Sequence, residues 1–434
     1  MNSDTIFALA SGAGMAAIAV VRVSGPASAA VLARLCGVLP AARLAVLRRL
    51  RDGNGGVLDR GLVLWFPGPG TYTGEDSAEL HLHGGRAVVD GVAEALVAAG
   101  ARPAEPGEFT ERAFLNGRMD LLEAEGVADL IAAETSAQRA LALRQMEGGL
   151  GSHYRGWSDR LLRLLARQEA LIDFPDEDLP DEVVRAIEDE IVVLAREMRL
   201  HLDDGARGER LREGLVFAIV GPPNAGKSTL INVLAERDVA IVSPAPGTTR
   251  DVLEARVVLG GVPVTLLDTA GLRETGDAIE AEGVRRARAR AARADLVIAI
   301  DDAAAPGVWY EAEVDGGAPV LRVVNKLDLT AGDGREDHAI SALTGEGMER
   351  LRLELDRIAR RLTDSAGPPV LTRARHRAAV GAALERLEAA QVAAWPELRG
   401  EDLRMALRSL GRLTGAVGVE DILDSVFRQF CIGK

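Results

Sequence analysis

The sequence predicts a multidomain protein with an α+β N-terminal domain, an α-helical domain, and an α/β domain inserted into the helical one. Three observations predict this organisation. Short β-like runs separated by turn clusters fill residues 1–118. Residues 119–212 and 366–434 carry apolar side chains at the i, i+3, i+4 spacing of helices. Between these two blocks, residues 213–365 alternate buried strands with helices, so the helical domain is discontinuous.

The composition is that of a globular chain that is long enough for several domains. Of its 434 residues, 47% are hydrophobic and 27% are charged, and the net charge is −14. That charge argues against a surface that binds nucleic acid as a whole. A local basic patch remains open at RRARARAARA (285–294), although a solvated helix face explains those arginines as well.

Several features indicate where the chain works. No apolar run reaches the roughly 18–20 residues of a membrane span. Asp4 precedes the first basic residue, Arg22, which is the wrong charge order for a leader peptide. The cysteines, Cys36 and Cys431, provide no disulfide framework. We therefore expect a cytoplasmic protein.

The inserted domain begins with a phosphate-binding motif. LVFAIV (215–220) has the composition of a buried strand, and GPPNAGKST (221–229) follows it directly, ahead of a helical pattern. Backbone N–H groups in such a glycine-rich loop and at the following helix N-terminus bind phosphate. Lys227 is placed to reach the β and γ oxygens, and Ser228 to ligate Mg²⁺. The segment therefore predicts a P-loop nucleotide site.

Two further segments complete the expected phosphate side. PGTTRD (246–251) is a loop that can close over a γ-phosphate and its metal. VTLLDTAG (264–271) is a strand that brings Asp268 towards Mg²⁺, after which Gly271 can donate its N–H to the γ-phosphate. Leu272 then stands where Ras-like enzymes have a water-orienting glutamine, so another group must orient the water. The candidates, among which these residues alone do not decide, are Glu274, Asp277, Glu280 and Glu282.

The base-binding segment selects guanine. VLRVVNKLD (320–328) is a buried strand that ends in Asn325, Lys326 and Asp328. A carboxylate there can accept both N1–H and N2–H₂ of guanine, and adenine offers no such donor pair. HAISALTGEG (338–347) places one more loop beside the base. The four motifs in this order predict a Ras-like P-loop GTPase that hydrolyses GTP. The expected GTP-binding residues are Asn224, Ala225, Gly226, Lys227, Ser228, Thr229, Ser243, Pro244, Ala245, Pro246, Gly247, Thr248, Thr249, Asp268, Thr269, Ala270, Gly271, Asn325, Lys326, Asp328, Ser341, Ala342 and Leu343.

Further motifs lie outside the inserted domain. They are YTGEDSAELHLHGG (72–85), PGEFTERAFLNGRMDLLEAEGVADLI (106–131), ALIDFP (170–175) and the final CIGK. Together with the ordered GTPase motifs and the leucine after DTAG, they resemble the MnmE, or TrmE, family of tRNA modification GTPases over nearly the whole chain. Only three of the 51 basic residues are lysines. Two of these lysines lie in the GTPase motifs and the third ends the CIGK motif.

That resemblance implies an activity and its partners. Members are bacterial, cytoplasmic homodimers joined through an N-terminal domain that binds 5-formyl- or methylene-tetrahydrofolate. They work with the FAD-containing protein MnmG, or GidA, in a heterotetramer or larger complex. The pair installs an aminomethyl or carboxymethylaminomethyl group at C5 of the wobble uridine of tRNA. K⁺ activates GTP hydrolysis by pairing the GTPase domains, and no arginine finger is identifiable here that would supply the same positive charge.

The resemblance also implies roles for single residues. Glu280 is the water-orienting carboxylate, and Cys431 is a candidate nucleophile or acid/base group whose thiol a nearby cation would activate. The remaining ligand sets are Asn224, Ser243, Ala245 and Thr248 for K⁺, Ser228 and Thr249 for Mg²⁺, and Arg22, Glu79, Arg118 and Lys434 for the folate.

Two alternative functions remain open at this point. The chain could be a regulatory GTP-binding switch in ribosome or ribonucleoprotein assembly, which predicts no function for Cys431. It could also be a folate enzyme that acts alone with GTP as a gate, which requires tRNA modification without the flavoprotein.

Overall fold

A computed structural model describes most of the chain in two compact units. The described residues are 4–12, 14–173, 181–204, 206–237, 254–268, 294–307, 317–330, 334, 336–364, 370–417, 423, 426–428, 430 and 433. Unit 1 comprises residues 1–128, 145–160 and 407–434, and unit 2 comprises residues 129–144 and 161–406. Among the described residues, no helix has the length and apolarity needed to cross a membrane.

Unit 1 is built on a mixed sheet. Its strands are β1 (Ile6–Leu9), β2 (Ala16–Ser24), β3 (Val46–Arg51), β4 (Val57–Phe66), β5 (Ser77–Gly84) and β6 (Arg102–Pro103). They pair in the order β3-β4-β5-β2-β1-β6, with the short β6 parallel to β1 and the other pairs antiparallel. The register of β2 and β5 sets Arg22 opposite Glu79. This α+β unit matches the predicted N-terminal fold.

Three helices complete the N-terminal part of unit 1: α1 (Ser28–Cys36), α2 (Arg86–Ala98) and α3 (Glu108–Leu115). Residues of α1 and α2, among them Leu32 and Leu96, pack with the sheet in one apolar core. The guanidinium of Arg112, on α3, is buried among carboxylates and lies 2.8 Å from both Asp4 Oδ1 and Glu108 Oε1. Because a buried charge is costly without partners, this cluster fixes α3 to β1.

The next helices are α4 (Leu121–Ala132), α5 (Ser136–Met146), α6 (Gly149–Asp173), α7 (Asp181–Asp204) and α8 (Ala206–Glu213). A reciprocal cap starts α4: Asp120 Oδ1 accepts from the Glu123 N–H, and Glu123 Oε2 accepts from the Asp120 N–H, each at 2.8 Å. A matching cap of Thr135 and Gln138 starts α5. The predicted helical character of this region is confirmed.

Unit 2 contains a second sheet, which is largely parallel. Its strands are β7 (Leu215–Val220), β8 (Glu254–Leu259), β9 (Val262–Asp268), β10 (Leu296–Asp302), β11 (Val320–Asn325) and β12 (His338–Ala339). The strand order is β12-β11-β10-β7-β9-β8. Among the described strands of this second sheet, only the edge strand β8 pairs antiparallel. The carboxyl ends of the parallel strands therefore share one edge, where an open α/β sheet binds ligands.

Within the described ranges, the helices that follow β7 are α9 (Lys227–Arg237), α10 (Met348–Thr363), α11 (Ala374–Val392) and α12 (Pro396–Thr414). The apolar core of the sheet includes Phe217, Leu266 and Leu355, and it also takes in Leu141 from α5. The predicted fold class, with α+β, helical and α/β parts, is confirmed. The bounds of the three domains stay a prediction.

Candidate functional site

The phosphate-binding loop lies between β7 and α9, and two glycines let it approach its neighbours. A Cβ on Gly221 would lie 2.1 Å from the Ile300 carbonyl oxygen of β10. A Cβ on Gly226, which has φ +94°, would lie 2.2 Å from Asn325 Nδ2. Any side chain at either position would clash with these neighbouring atoms, so both positions require glycine. Asn224 adopts a left-handed φ of +65°, which asparagine tolerates better than most residues.

Lys227 is buried at the start of α9. Its Nζ donates to the carbonyl oxygens of Gly221 and Pro222, both at 2.8 Å. Both of these acceptors are neutral carbonyl oxygens of the loop itself. The ammonium can therefore exchange a carbonyl for a phosphate oxygen, which offers a full negative charge.

Ser228 and Asp268 meet although 40 residues separate them. Ser228 Oγ donates to Asp268 Oδ2 at 3.0 Å. Asp268 is the last residue of β9 and is 1% exposed. A hydroxyl and a carboxylate together form the oxygen donor set that a hard cation such as Mg²⁺ prefers. The donors present thus fit the expected magnesium ion.

The base-binding segment is joined to the phosphate-binding loop by one side chain. Asn325 Nδ2 donates to the Ala225 carbonyl at 2.8 Å, and the Ala342 N–H donates to Asn325 Oδ1 at 2.9 Å. Asn325 is 3% exposed. Its amide therefore holds three loops together at the carboxyl edge of the sheet.

Asp328 and Lys326 each have a partner in this region. Ser341 Oγ donates to Asp328 Oδ1 at 2.5 Å, which orients the carboxylate. Lys326 has a left-handed φ of +71° and its Nζ lies 2.6 Å from Asp302 Oδ2. Asp302 was not among the residues predicted from the sequence. A signal was present, because LVIAIDD (296–302) is a buried strand that ends in two acids, as β9 ends in Asp268.

The remaining predicted GTP-binding residues divide into two groups. Thr229 is exposed on α9, and Leu343 is 80% exposed in the loop after β12. The following lie outside the described residues, as do most of the arginine-rich stretch and Leu272: Ser243, Pro244, Ala245, Pro246, Gly247, Thr248, Thr249, Thr269, Ala270, Gly271 and Glu280.

In unit 1 the structure brings two of the predicted folate residues together. Arg22 Nη2 lies 3.1 Å from Glu79 Oε1 across the β2–β5 pair. The Arg22 guanidinium also lies over two rings, 5.7 Å from the centroid of Tyr72 and 5.9 Å from that of Phe109. Neither aromatic residue was singled out from the sequence, although both lie in the quoted motifs.

Tyr72 is itself fixed, since its hydroxyl lies 2.9 Å from Thr110 Oγ1, and burial raises the pKa of that phenol. Arg118 is exposed, and its side chain borders Gly74, two residues beyond Tyr72. Cys431 and Lys434 lie outside the described residues. Gly433, between them in the sequence, is described and lies against the backbone of Leu9 and Ala10. The described part of this region is a planar cation flanked by a carboxylate and two rings.

Comparison with known proteins identifies the family of this chain. Residues 5–118 match a family model described as "GTP-binding protein TrmE N-terminus", and residues 121–431 match one described as "MnmE helical domain". Three similar proteins are each named tRNA modification GTPase MnmE. The protein from Gluconacetobacter diazotrophicus is 61% identical, with 99% of this chain and 98% of that protein covered. Those from Granulibacter bethesdensis and Maricaulis maris are 57% and 53% identical, with 100% of each chain covered. This chain belongs to the MnmE family.

Proposed function

We propose that this chain hydrolyses GTP as a step in the modification of tRNA. One observation carries the GTP part above all: the Asn325 amide connects the phosphate-binding loop at Ala225 with the last loop at Ala342. This connection fixes the position of Asp328, which we assign to guanine, relative to Lys227, which we assign to phosphate. Family membership supports tRNA as the object of the reaction.

Each residue of this site has a chemical task in hydrolysis. The Lys227 ammonium binds the β and γ oxygens and stabilises the charge that develops on them. Ser228 and Asp268 would hold Mg²⁺, which when bound would neutralise phosphate charge. Asp328 accepts the two guanine donors, and Glu280 orients the attacking water. In this arrangement positioning and charge stabilisation provide the rate, as in other phosphoryl transfers.

We further propose that K⁺ activates hydrolysis. Asn224 supports this proposal, because its exposed side chain on the phosphate-binding loop offers a neutral oxygen. Ser243, Ala245 and Thr248 are the other proposed ligands. The test compares hydrolysis by the purified protein in KCl and in NaCl at equal ionic strength. We expect faster turnover in KCl and loss of that difference in Asn224→Ala. Equal rates for the unaltered protein would refute potassium activation.

The rest of the proposal concerns the one-carbon chemistry. Arg22, with its two flanking rings and Glu79, supports binding of a flat, anionic folate in unit 1, and Arg118 and Lys434 are the remaining proposed contacts. The complete activity then needs a homodimer, bound tetrahydrofolate and the flavoprotein MnmG. It modifies C5 of the wobble uridine in the bacterial cytoplasm.

The two cysteines allow a matched test of the whole function. Cells that lack the protein are complemented with the unaltered chain, Cys431→Ser or Cys36→Ser, and their tRNA nucleosides are measured by mass spectrometry. Cys36 ends α1, where its Sγ donates to the Leu32 carbonyl, so its replacement should restore modification. Cys431→Ser should retain GTP hydrolysis and leave the wobble uridine unmodified. Full modification by Cys431→Ser would instead favour the regulatory switch.

A further inference from the structure

The carboxyl end of β10 carries two aspartates with different partners. Asp301 is 1% exposed and accepts from the backbone N–H groups of Asp302 and Gly307. Asp302 divides its two oxygens: Oδ1 accepts from the Ala304 N–H at 2.9 Å, and Oδ2 accepts from Lys326 Nζ at 2.6 Å. Asp301 thus shapes the turn after β10, whereas Asp302 joins that turn to the base-binding segment.

The pair of Asp302 and Lys326 is held rigidly on both sides. The Ala304 N–H fixes the carboxylate, and the register of β10 and β11 sets Asp302 directly opposite Asn325. On the other side, the Lys326 backbone has a left-handed φ of +71°, and its carbonyl accepts from the Leu329 N–H at 2.9 Å. The lysine stem is therefore anchored at both ends.

The burial of this pair distinguishes it from an ordinary surface ion pair. The side chains of Lys326 and Asp302 are 29% and 16% exposed. A partly buried, fixed pair loses less to solvent screening and side-chain entropy than an exposed one. Lys326 also lies between Asn325 and Asp328, the two residues that form the base side of the site. A contact that restrains the Lys326 side chain therefore also restrains the segment that we assign to the nucleotide base.

We infer that Asp302 is a positioning residue for guanine nucleotide binding. It holds the Lys326 stem in the arrangement that the bound nucleotide requires, so that the rotamer freedom of this lysine is already restricted before GTP or GDP enters. The inference rests on the proposed GTP-binding role of this segment. It predicts that Asp302 affects affinity for the base side, common to GTP and GDP, and leaves the hydrolytic step unchanged.

The other end of β10 provides a matched control. Asp295 immediately precedes the strand, and its side chain is 13% exposed. One of its oxygens accepts from the Val216 N–H at 3.0 Å, and the other lies 2.8 Å from Arg210 Nε. Like Asp302, it thus makes one backbone hydrogen bond and one ion pair. It does so at the amino end of the strand, at the sheet edge opposite the nucleotide site.

The experiment measures binding of GDP and a non-hydrolysable GTP analogue by calorimetry to the full chain. Asp302→Asn should raise both dissociation constants by the same factor, roughly tenfold, which is the effect expected from freezing one lysine side chain. Its kcat at saturating GTP should stay within twofold of the unaltered protein. Asp295→Asn should change neither dissociation constant by more than twofold. Thermal unfolding without nucleotide verifies that both variants are folded.

Two further comparisons separate positioning from general loosening of the site. In a Lys326→Met background, Asp302→Asn should have no additional effect on affinity. The preference for GTP over inosine triphosphate, which lacks the 2-amino group read by Asp328, should be unchanged in Asp302→Asn and reduced in Asp328→Asn.

Several results would overturn the inference. Unchanged or tighter binding by Asp302→Asn would show that the carboxylate does not position Lys326 for the nucleotide. Equal weakening by Asp295→Asn, or a further full loss in the Lys326→Met background, would show that Asp302 acts through the fold at large. Failure of the unaltered protein to bind guanine nucleotides at all would instead remove the proposed function, before any variant is compared.

Discussion

Replacing Asn325 by alanine should weaken GTP binding strongly, because this side chain connects the base-binding segment with the phosphate-binding loop. The side chain makes two hydrogen bonds, to the Ala225 carbonyl and from the Ala342 N–H, and all three residues are at most 5% exposed. Leaving one buried polar group without its partner costs about 1–3 kcal/mol. Two such groups would cost about 2–6 kcal/mol together. Water that re-enters at the edge of the sheet replaces part of the lost hydrogen bonding, so we expect the substitution to cost about 2–4 kcal/mol.

That loss should appear mainly as a lower population of the binding-competent loop arrangement. A loss of about 2 kcal/mol corresponds to a roughly 30-fold higher dissociation constant for GTP. Displacement of a fluorescent GDP analogue measures it, and exposed Asn232→Ala on α9 is the control, expected within twofold. Asn325→Asp retains the acceptor for Ala342 but sets a buried carboxylate oxygen against the Ala225 carbonyl, so it should weaken GTP binding at least as much as Asn325→Ala. GTP binding by Asn325→Ala within twofold of the unaltered protein would refute the reasoning.

Three other perturbations test separate parts of the structure. Ser228→Ala should raise the Mg²⁺ concentration needed for half-maximal hydrolysis about tenfold or more, measured by metal titration, because one oxygen donor is lost. Leu141→Ala should lower the unfolding free energy of the α/β core by about 2–4 kcal/mol in urea, whereas Leu162→Ala, at 56% exposure, should change it by less than about 0.5 kcal/mol. Although burial alone would raise the pKa of Glu108, hydrogen bonds from Arg102 lead the opposing effects and hold it below its ordinary value. Its stabilising contribution is therefore complete above about pH 5 and is lost as the pH falls through the lowered pKa. Glu108→Gln should make the unfolding free energy depend less steeply on pH in this range, measured by acid unfolding followed by circular dichroism.

The parts of the site that sequence predicted are those encoded locally. A buried strand, a glycine-rich turn and a helix start determine where Lys227 and Ser228 lie, because each residue is within a few positions of the signal that places it. Asp268 and Asn325 were predictable for a related reason. Both end strands of one parallel sheet, and parallel strands deliver their last residues to a common edge.

The parts that sequence did not predict depend on contacts between distant segments. Asp302 meets Lys326 only because β10 and β11 pair in a register that sets Asp302 opposite Asn325. The rings of Tyr72 and Phe109 reach Arg22 only through the packing of the N-terminal unit. Neither the strand register nor that packing is written in a short motif, so a single sequence gives no direct signal for them.

The contacts that attach the α/β core to the helical segment were also not predicted from the sequence. They limit how the core can move relative to that segment. The chain enters the core just after Arg212 and leaves it before Arg373, and both guanidinium groups pair with Asp129 Oδ1, at 3.1 Å and 2.7 Å. The three side chains are between 11% and 23% exposed. Leu141 of the helical segment also packs inside the core, so the helical segment contacts the core both through the Asp129 carboxylate and through an apolar side chain. A shift of either end of the core must therefore displace Asp129 or break a partly buried ion pair, and loss of one partner of such a pair is costly.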